Sequence, residues 1–189
     1  ARSTFEGNTA ANDGGALWSA GSLTVQSSTF SDGNAATDDG GAIALRLGGS
    51  LNLASSTISG NTAGGNGGGI DNNASGAVIN INSSTITLND AAASGDGIRR
   101  SAGTLNITSS IVARNGGPAG VNVSGSIATN QFNLLGGDPL LAPLADNGGP
   151  TKTHDLLPGS PALNAGNPAV IAGVDQRGEG FARVQLGRA

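Results

Sequence analysis

The chain contains no cysteine, which excludes a disulfide framework and any Cys-ligated metal site. It also lacks an apolar run of about 18 residues, so no helix of this sequence spans a membrane. Aromatic residues are 3% and charged residues 12% of 189, both low against an ordinary globular domain. Basic charge is scarce: the formal net charge is -4 and the pI about 4.7. Nucleic-acid binders carry a basic footprint, so nucleic acid is excluded as a partner. No signal peptide precedes the first repeat, which starts at Ala1 in mid-pattern; the expectation is a processed product or a fragment. Sparse apolar residues can mean disorder, but disorder couples low hydrophobicity to high net charge. Here the few apolar residues recur at fixed phase.

What is abundant is repetition. The block Ser-Ser-Thr-(Phe/Ile)-x-x-Asn runs from Ser3 to Asn8, Ser27 to Asn34, Ser55 to Asn61, Ser83 to Asn89 and, as Ser-Ser-Ile-Val, Ser109 to Asn115. Its asparagines are spaced 26, 27, 28 and 26. A Gly-Gly-(Ala/Gly)-(Leu/Ile) block falls between them at Gly14–Leu17, Gly40–Ile43 and Gly67–Ile70, and in weaker form at Gly95–Ile98. An apolar-polar-apolar triplet follows: Leu23-Thr24-Val25, Leu51-Asn52-Leu53, Ile79-Asn80-Ile81, Leu105-Asn106-Ile107. Three short strand-like blocks in a fixed order, with period 2 inside them, signal a stacked solenoid of strands. The richness in Gly, Asn, Thr and Ser argues against helical repeats.

The expected fold is all-β: a right-handed parallel β-helix of about five coils of 26–28 residues, with a Pro-rich looped C-terminal cap. Alternation places Leu23, Val25, Phe30, Ile43, Ile58, Ile70 and their counterparts in the other coils inside. The first glycine of each Gly-Gly block is expected at a corner that excludes a side chain. Asn8, Asn34, Asn61, Asn89 and Asn115 are expected to stack as a structural ladder at another corner. Six of the seven prolines lie after residue 133, and proline removes a ladder donor. The division is therefore 1–132 for the repeats and 133–189 for a cap over the last coil, with Phe132, Leu134, Leu135, Leu140, Leu141, Leu156 and Leu157 covering the core. The N-terminal end has no such cover. Thr4, Phe5 and Leu17 form an expected assembly edge there, since an unpaired strand edge is a template for another chain.

Gly14-Gly15-Ala16-Leu17, Gly40-Gly41-Ala42-Ile43 and Phe5-Glu6-Gly7-Asn8 resemble the bacterial polymorphic outer membrane protein repeats, which pair Gly-Gly-Ala-(Ile/Leu) with Phe-x-x-Asn. That resemblance covers about two-thirds of the chain. The remainder resembles the C-terminal region of secreted β-helix proteins of the choice-of-anchor group. It is carried by Asp138-Pro139-Leu140-Leu141, by Leu144 to Thr151, by Leu157-Pro158-Gly159-Ser160-Pro161-Ala162, by Asn164-Ala165-Gly166 and by Asp175-Gln176-Arg177-Gly178. The resemblance implies an exported protein, extracellular or on the outer cell surface, structural or adhesive and without catalysis. The sequence reaches Ala189 without a sorting anchor, so surface attachment is not part of the expectation.

Four chemistries compete with that reading. Asp13, Asp38 and Asp39 precede the Gly-Gly corner in adjacent coils and are calcium candidates, because a hard cation takes six to eight oxygens; no other cofactor is expected. Polysaccharide binding or cleavage would use carboxylates on one groove. One outward column holds Trp18, Ala44, Asp71 and Arg99, with Asp71 and Arg99 read as an exposed ion pair. The lone histidine, His154, stands among Thr151, Thr153 and Asp155, too close in sequence for a triad, and no nucleophile elbow occurs. Thr4, Thr29, Thr57 and Thr85, with Glu6, Ser31, Ser59 and Thr87 two residues on, resemble the flat hydroxyl array of an ice-binding face, interrupted at Glu6 and Ile111. The Asn-x-Ser/Thr sequons at Asn73, Asn82, Asn106 and Asn122 are read as chance in a bacterial protein. The expectation is therefore a non-enzymatic surface module that self-associates end to end as a filament subunit, or that meets a surface glycan or protein. Polysaccharide binding or cleavage, and then ice binding, are the alternatives.

Overall fold

The computed structural model describes residues 2–117, 120–169 and 173–181. Of the expected cap, residues 170–172 and 182–189 lie outside the described residues, Ala189 among them.

The repeats wind as a parallel β-helix. The first coil holds β1 (Thr4–Glu6), β2 (Thr9–Ala10), β3 (Leu17–Ser19) and β4 (Ser22–Gln26). The second holds β5 (Thr29–Ser31), β6 (Ala35–Ala36), β7 (Ile43–Leu45) and β8 (Ser50–Ala54). The third holds β9 (Thr57–Ser59), β10 (Thr62–Ala63), β11 (Ile70–Asn72) and β12 (Val78–Asn82). The fourth holds β13 (Thr85–Thr87), β14 (Asp90–Ala91), β15 (Ile98–Arg100) and β16 (Thr104–Thr108). The fifth keeps β17 (Ile111–Ala113), β18 (Val123–Ser124) and β19 (Thr129–Gln131), and β20 (Leu134–Leu135) begins a sixth. The first four coils thus have four strands each where the sequence shows three. The missed strands β2, β6, β10 and β14 are two residues of Thr, Ala or Asp, too short and too small to display a period of 2.

Four sheets result, ordered β1-β5-β9-β13-β17-β20, β2-β6-β10-β14, β3-β7-β11-β15-β18 and β4-β8-β12-β16-β19. Every pairing within these sheets is parallel, and many put like on like: Phe5 on Phe30, Thr57 on Thr85, Ile70 on Ile98, Asn80 on Asn106. The core is one continuous cluster along the axis. Phe30, Ile43, Ile58, Ile70, Ile79, Ile86, Ile98, Leu105 and Val112 are fully buried. Phe5 stacks on Phe30 at 4.5 Å between centroids.

The corners explain the repeated polar residues. Gly14, Gly40, Gly67 and Gly95 have φ between 65° and 72°, and a Cβ on any of them would strike the carbonyl three residues ahead. Each ladder asparagine donates Nδ2–H to the Oδ1 of the next: Asn8 to Asn34, Asn34 to Asn61 and Asn61 to Asn89 at 2.8 Å, and Asn89 to Asn115 at 2.9 Å. Asn122 Oδ1 closes the row at 3.0 Å from Asn115 Nδ2. A second ladder runs through the Ser-Ser pairs. The first serine of each pair, Ser27, Ser55, Ser83 or Ser109, turns the corner at φ 45° to 50°. The second accepts from the preceding coil: Ser28 N–H donates to Ser56 Oγ, Ser56 to Ser84 and Ser84 to Ser110.

The C-terminal segment departs from expectation. Its start, β20, lies over the last coil on β17, with Leu135 packed on the core, and its described remainder takes another path. It runs back along the outer face of the first sheet as a strap that reaches the first coil. Two short antiparallel contacts, Leu141 with Leu156 and Ala145 with Thr153, fold it into a loop. Asn167 N–H donates to Ser109 Oγ in the fourth-to-fifth corner, and Lys152 Nζ reaches Asp32 at 3.0 Å and Glu6 at 3.4 Å. Of the residues expected to plug the core end, Leu135 packs on the core, whereas Phe132, Leu156 and Leu157 stay exposed. The reason is polar: the outward hydroxyls of the first sheet find partners in the strap's carbonyls and in Gln176.

Candidate functional site

Two polar constellations stand out on the flanks. The first is on the outside of the third sheet. Arg46 follows β7 and turns back over it. Its Nε lies 2.9 Å from Asp13, its Nη2 3.1 Å from Asp39 and its Nη1 2.5 Å from Asp71. Arg99 reaches Asp71 at 2.9 Å and Asp39 at 3.3 Å. The Asp71–Arg99 pair is therefore not exposed: Asp71 is completely buried under the two guanidinium groups. Burial pushes the Asp71 carboxyl above the usual carboxylate range against the pull of Arg46 and Arg99. Burial also opposes the Arg46 cation, but its bonds to Asp13 and Asp71 outweigh that and hold it above its ordinary value. Backbone and side-chain N–H groups of Asn66 take the remaining oxygen of Asp39.

This arrangement bears on the calcium candidates. Asp13 and Asp39 are ion-pair partners, Asp38 stands exposed apart from them, and among the described residues no three His, Cys, Asp or Glu side chains are grouped to hold a metal ion. Two cations against three carboxylates leave little charge for a third cation. Arg46 escaped the sequence reading because it has no counterpart in other coils. The only signal was its position one strand away from the Asp13 and Asp39 column. Trp18, in the same outward column, is half exposed.

The second constellation lies between the strap and the first sheet. Thr29 and Thr57 are buried. Thr29 Oγ1 donates to the Lys152 carbonyl at 2.7 Å, and Thr57 Oγ1 donates to Gln176 Oε1 at 2.7 Å. Gln176 Nε2 donates to Thr29 Oγ1 at 2.8 Å and Thr151 Oγ1 at 3.0 Å. Thr29 and Thr57 are covered and order no surface water, which counts against the ice-binding reading, while Thr4 is exposed and Thr85 half-buried. His154 is also drawn in. Its Nδ1 sits 2.7 Å from the Ala142 carbonyl and its Nε2 2.9 Å from Ser59 Oγ. Burial lowers the imidazole's proton affinity, the Ala142 carbonyl opposes that and the Arg114 charge adds to it. The neutral ring thus donates from Nδ1 and accepts the Ser59 proton at Nε2. Ser59 is buried beneath the strap, so this contact fastens the strap. Thr151 meets Gln176, and Asp155 lies 4.0 Å from Arg177; neither joins His154 in a triad.

The C-terminal motifs interlock at the same seam. Asp175 accepts from the Arg177 N–H at 2.8 Å and from its guanidinium, and Arg177 lies over the Phe181 ring at 4.2 Å. Asn147 Nδ2 donates to the Thr153 carbonyl and hydroxyl. Gly148 faces Phe181, and a Cβ on Gly149 would strike Arg177. Two of the five C-terminal strings, 144–151 and 175–178, are thus the two halves of one clasp.

The Thr4, Phe5 and Leu17 edge lies on the first coil. Thr4 is exposed, and Phe5 and Leu17 are half-buried. Strands β1, β2, β3 and β4 each end their sheet. The outer face of the fourth sheet carries Asn52, Asn80 and Asn106 in one hydrogen-bonded row, the first two exposed and the third half-buried.

Residues 2–20 match the repeat of the Chlamydia polymorphic membrane proteins. They cover β1, β2, β3 and the Gly-Gly corner, so the first coil is similar to a repeat of that type. No curated protein and no solved structure matches the chain.

Proposed function

We propose that this chain is a surface-exposed β-helix module of an exported bacterial protein, structural or adhesive in role, which makes its main protein contact through the end of the solenoid. The repeat type supports outer-membrane or surface association. The observation that carries the contact is the first coil, where four strands have an outer edge unpaired among the described residues, around half-buried Phe5 and Leu17. The flanks offer less, since one is a row of asparagines bonded to one another and another lies under the strap. A second copy stacked head to tail on that edge extends the sheets, and a heterologous contact that does not close makes a filament. In a longer protein a preceding coil meets the same edge and the contact becomes intramolecular.

Light scattering and negative-stain microscopy over a concentration series test this. Assembly is expected, lost in Phe5→Glu and kept in Asn80→Ala, with strand content retained in both. A monodisperse monomer at high concentration, or assembly blocked by Asn80→Ala and not by Phe5→Glu, rejects it. We read the module as non-catalytic, because its converging carboxylates are held by Arg46 and Arg99. New reducing ends from an acidic glycan, abolished by Asp39→Asn, would reverse that reading. Trp18 favours glycan contact as a second reading, checked by quenching of its fluorescence.

A further inference from the structure

We propose that Asn147 and Gly148 form a self-modifying site in the clasp, where the Gly148 nitrogen attacks the Asn147 side-chain amide, converts it to an acid and loosens the strap.

Both nitrogens of the reaction have a partner in place. Gly148 is exposed, holds φ at 90° and carries no Cβ to screen its own N–H. That N–H donates to Asp146 Oδ1 at 3.0 Å, within the reach of a general base. The Asp146 side chain is exposed, so a proton it takes passes on to water. On the other side, Asn147 Nδ2 lies 2.9 Å from the Thr153 carbonyl and 3.0 Å from Thr153 Oγ1. A hydroxyl rotates to donate as well as to accept, so Thr153 serves Nδ2 first as acceptor and then as proton donor when that nitrogen leaves.

The step is a ring closure followed by hydrolysis. A bond forms between the Gly148 nitrogen and Asn147 Cγ, and the Gly148 proton passes through Asp146 and water to the leaving group. The Cγ–Nδ2 bond breaks and ammonia departs, leaving a five-membered imide. One water opens the imide at either carbonyl and gives an aspartate or an isoaspartate at this position. Nothing is oxidised or reduced, and water is the only co-reactant. Attack within one chain has the advantage of any held pair of reactants.

The sequence holds two further Asn-Gly pairs, Asn66-Gly67 and Asn115-Gly116, and the fold disarms both. The Gly67 N–H donates to the Ser94 carbonyl at 3.0 Å and the Gly116 N–H to the Asn89 carbonyl at 2.7 Å. These bonds stack one coil on the next, and a neutral carbonyl is no base. The amides are held too: Asn66 Nδ2 donates to Asp39, and Asn115 is fully buried with Nδ2 on Asn122. Asn147 alone of the three stands outside the repeat, with a carboxylate on the attacking N–H.

The product changes the clasp. An acid in place of the amide has no N–H for Thr153, and an oxygen then faces the Thr153 carbonyl. Thr153 stands between Lys152, whose carbonyl accepts the Thr29 hydroxyl, and His154, which accepts that of Ser59. Asn147 therefore steadies the segment that fastens the strap to the first sheet, and its conversion releases that segment with time and without a ligand.

The test follows the purified chain in mildly alkaline buffer by peptide mass spectrometry, with the chain in urea as reference and isoaspartyl methylation to score the isomer. In urea the three Asn-Gly pairs are expected to convert alike. In the folded chain Asn147 is expected to convert at least as fast as in urea, and Asn66 and Asn115 at least tenfold more slowly. Asp146→Ala should slow Asn147 severalfold in the folded chain and leave its rate in urea unchanged. Asn147→Asp should speed trypsin cleavage after Lys152 severalfold at retained strand content. Slower conversion of Asn147 in the folded chain than in urea, an unchanged folded-state rate in Asp146→Ala, or wild-type cleavage in Asn147→Asp would overturn the proposal.

Discussion

At the residue scale, a few polar side chains carry more of the structure than their number implies. Arg46 is the clearest. It contacts carboxylates from the first, second and third coils, and one of them, Asp71, has no solvent at all. Removing one partner of a buried pair leaves an uncompensated charge, which costs more than the pair itself stabilises. Arg99 still holds the other oxygen of Asp71, so the loss is partial. Arg46→Met is expected to lower unfolding stability by about 3 kcal/mol in urea, and Arg46→Met combined with Asp71→Asn to recover most of it. A single variant as stable as wild type shows that Asp71 is not charged in the fold. The ladder asparagines follow the same logic. Each is legible in sequence because its spacing is regular. Arg46 occurs once, and periodicity cannot mark a residue without a repeat.

At the element scale, the strap is the feature that gives the flanks different characters. Its middle is fastened by His154, whose neighbours are Ser59 from β9, Thr87 from β13, the Arg114 charge and the Ala142 carbonyl, with no carboxylate paired to it among the described residues. Burial lowers the folded-state proton affinity below the unfolded value of about 6.5. The unfolded chain therefore binds the proton more readily, and stability rises with pH in this range. The histidine's contribution is complete above about pH 6.5 and is lost progressively as the pH falls below that, toward the folded value. Melting temperatures between pH 7.5 and 5 are expected to fall in the wild type and to stay flatter in His154→Gln, whose amide keeps a donor and an acceptor. Parallel profiles for the two proteins would assign the acid sensitivity elsewhere.

At the scale of the whole molecule, the solenoid joins each coil mainly to its neighbours, and the strap joins distant coils. Nearest-neighbour coupling alone lets a terminal coil fray without the rest. The strap reaches Asp32 and Glu6 through Lys152, and Thr29 and Thr57 through Gln176. Gln176→Ala leaves Thr57 and Thr29 hydroxyls buried without that partner and is expected to cost about 2 kcal/mol. It should also release the strap. Trypsin cleavage after Lys152 and Arg177 is expected to speed up at least severalfold while the coils from β8 to β17 keep their amide protection. If cleavage is unchanged, the strap is held by its loop contacts and not by the glutamine.

The repeat, the parallel stacking, the inward columns and the turn glycines were all determined by sequence, because each depends on a local pattern copied once per coil. Phe5, Phe30, Ile58, Ile86 and Val112 share a face whatever surrounds the solenoid. What only the tertiary structure decided was the outside. Whether Thr29 and Thr57 meet water or Gln176 depends on a segment more than a hundred residues away. Whether Asp13, Asp39 and Asp71 hold a cation or an arginine depends on the path of one side chain after β7. Outward residues alternate as regularly as inward ones, so periodicity fixes their direction and leaves their partner open. In this chain the partners come from the non-repeating residues, Arg46, His154 and Gln176, and those are read only when the chain is folded.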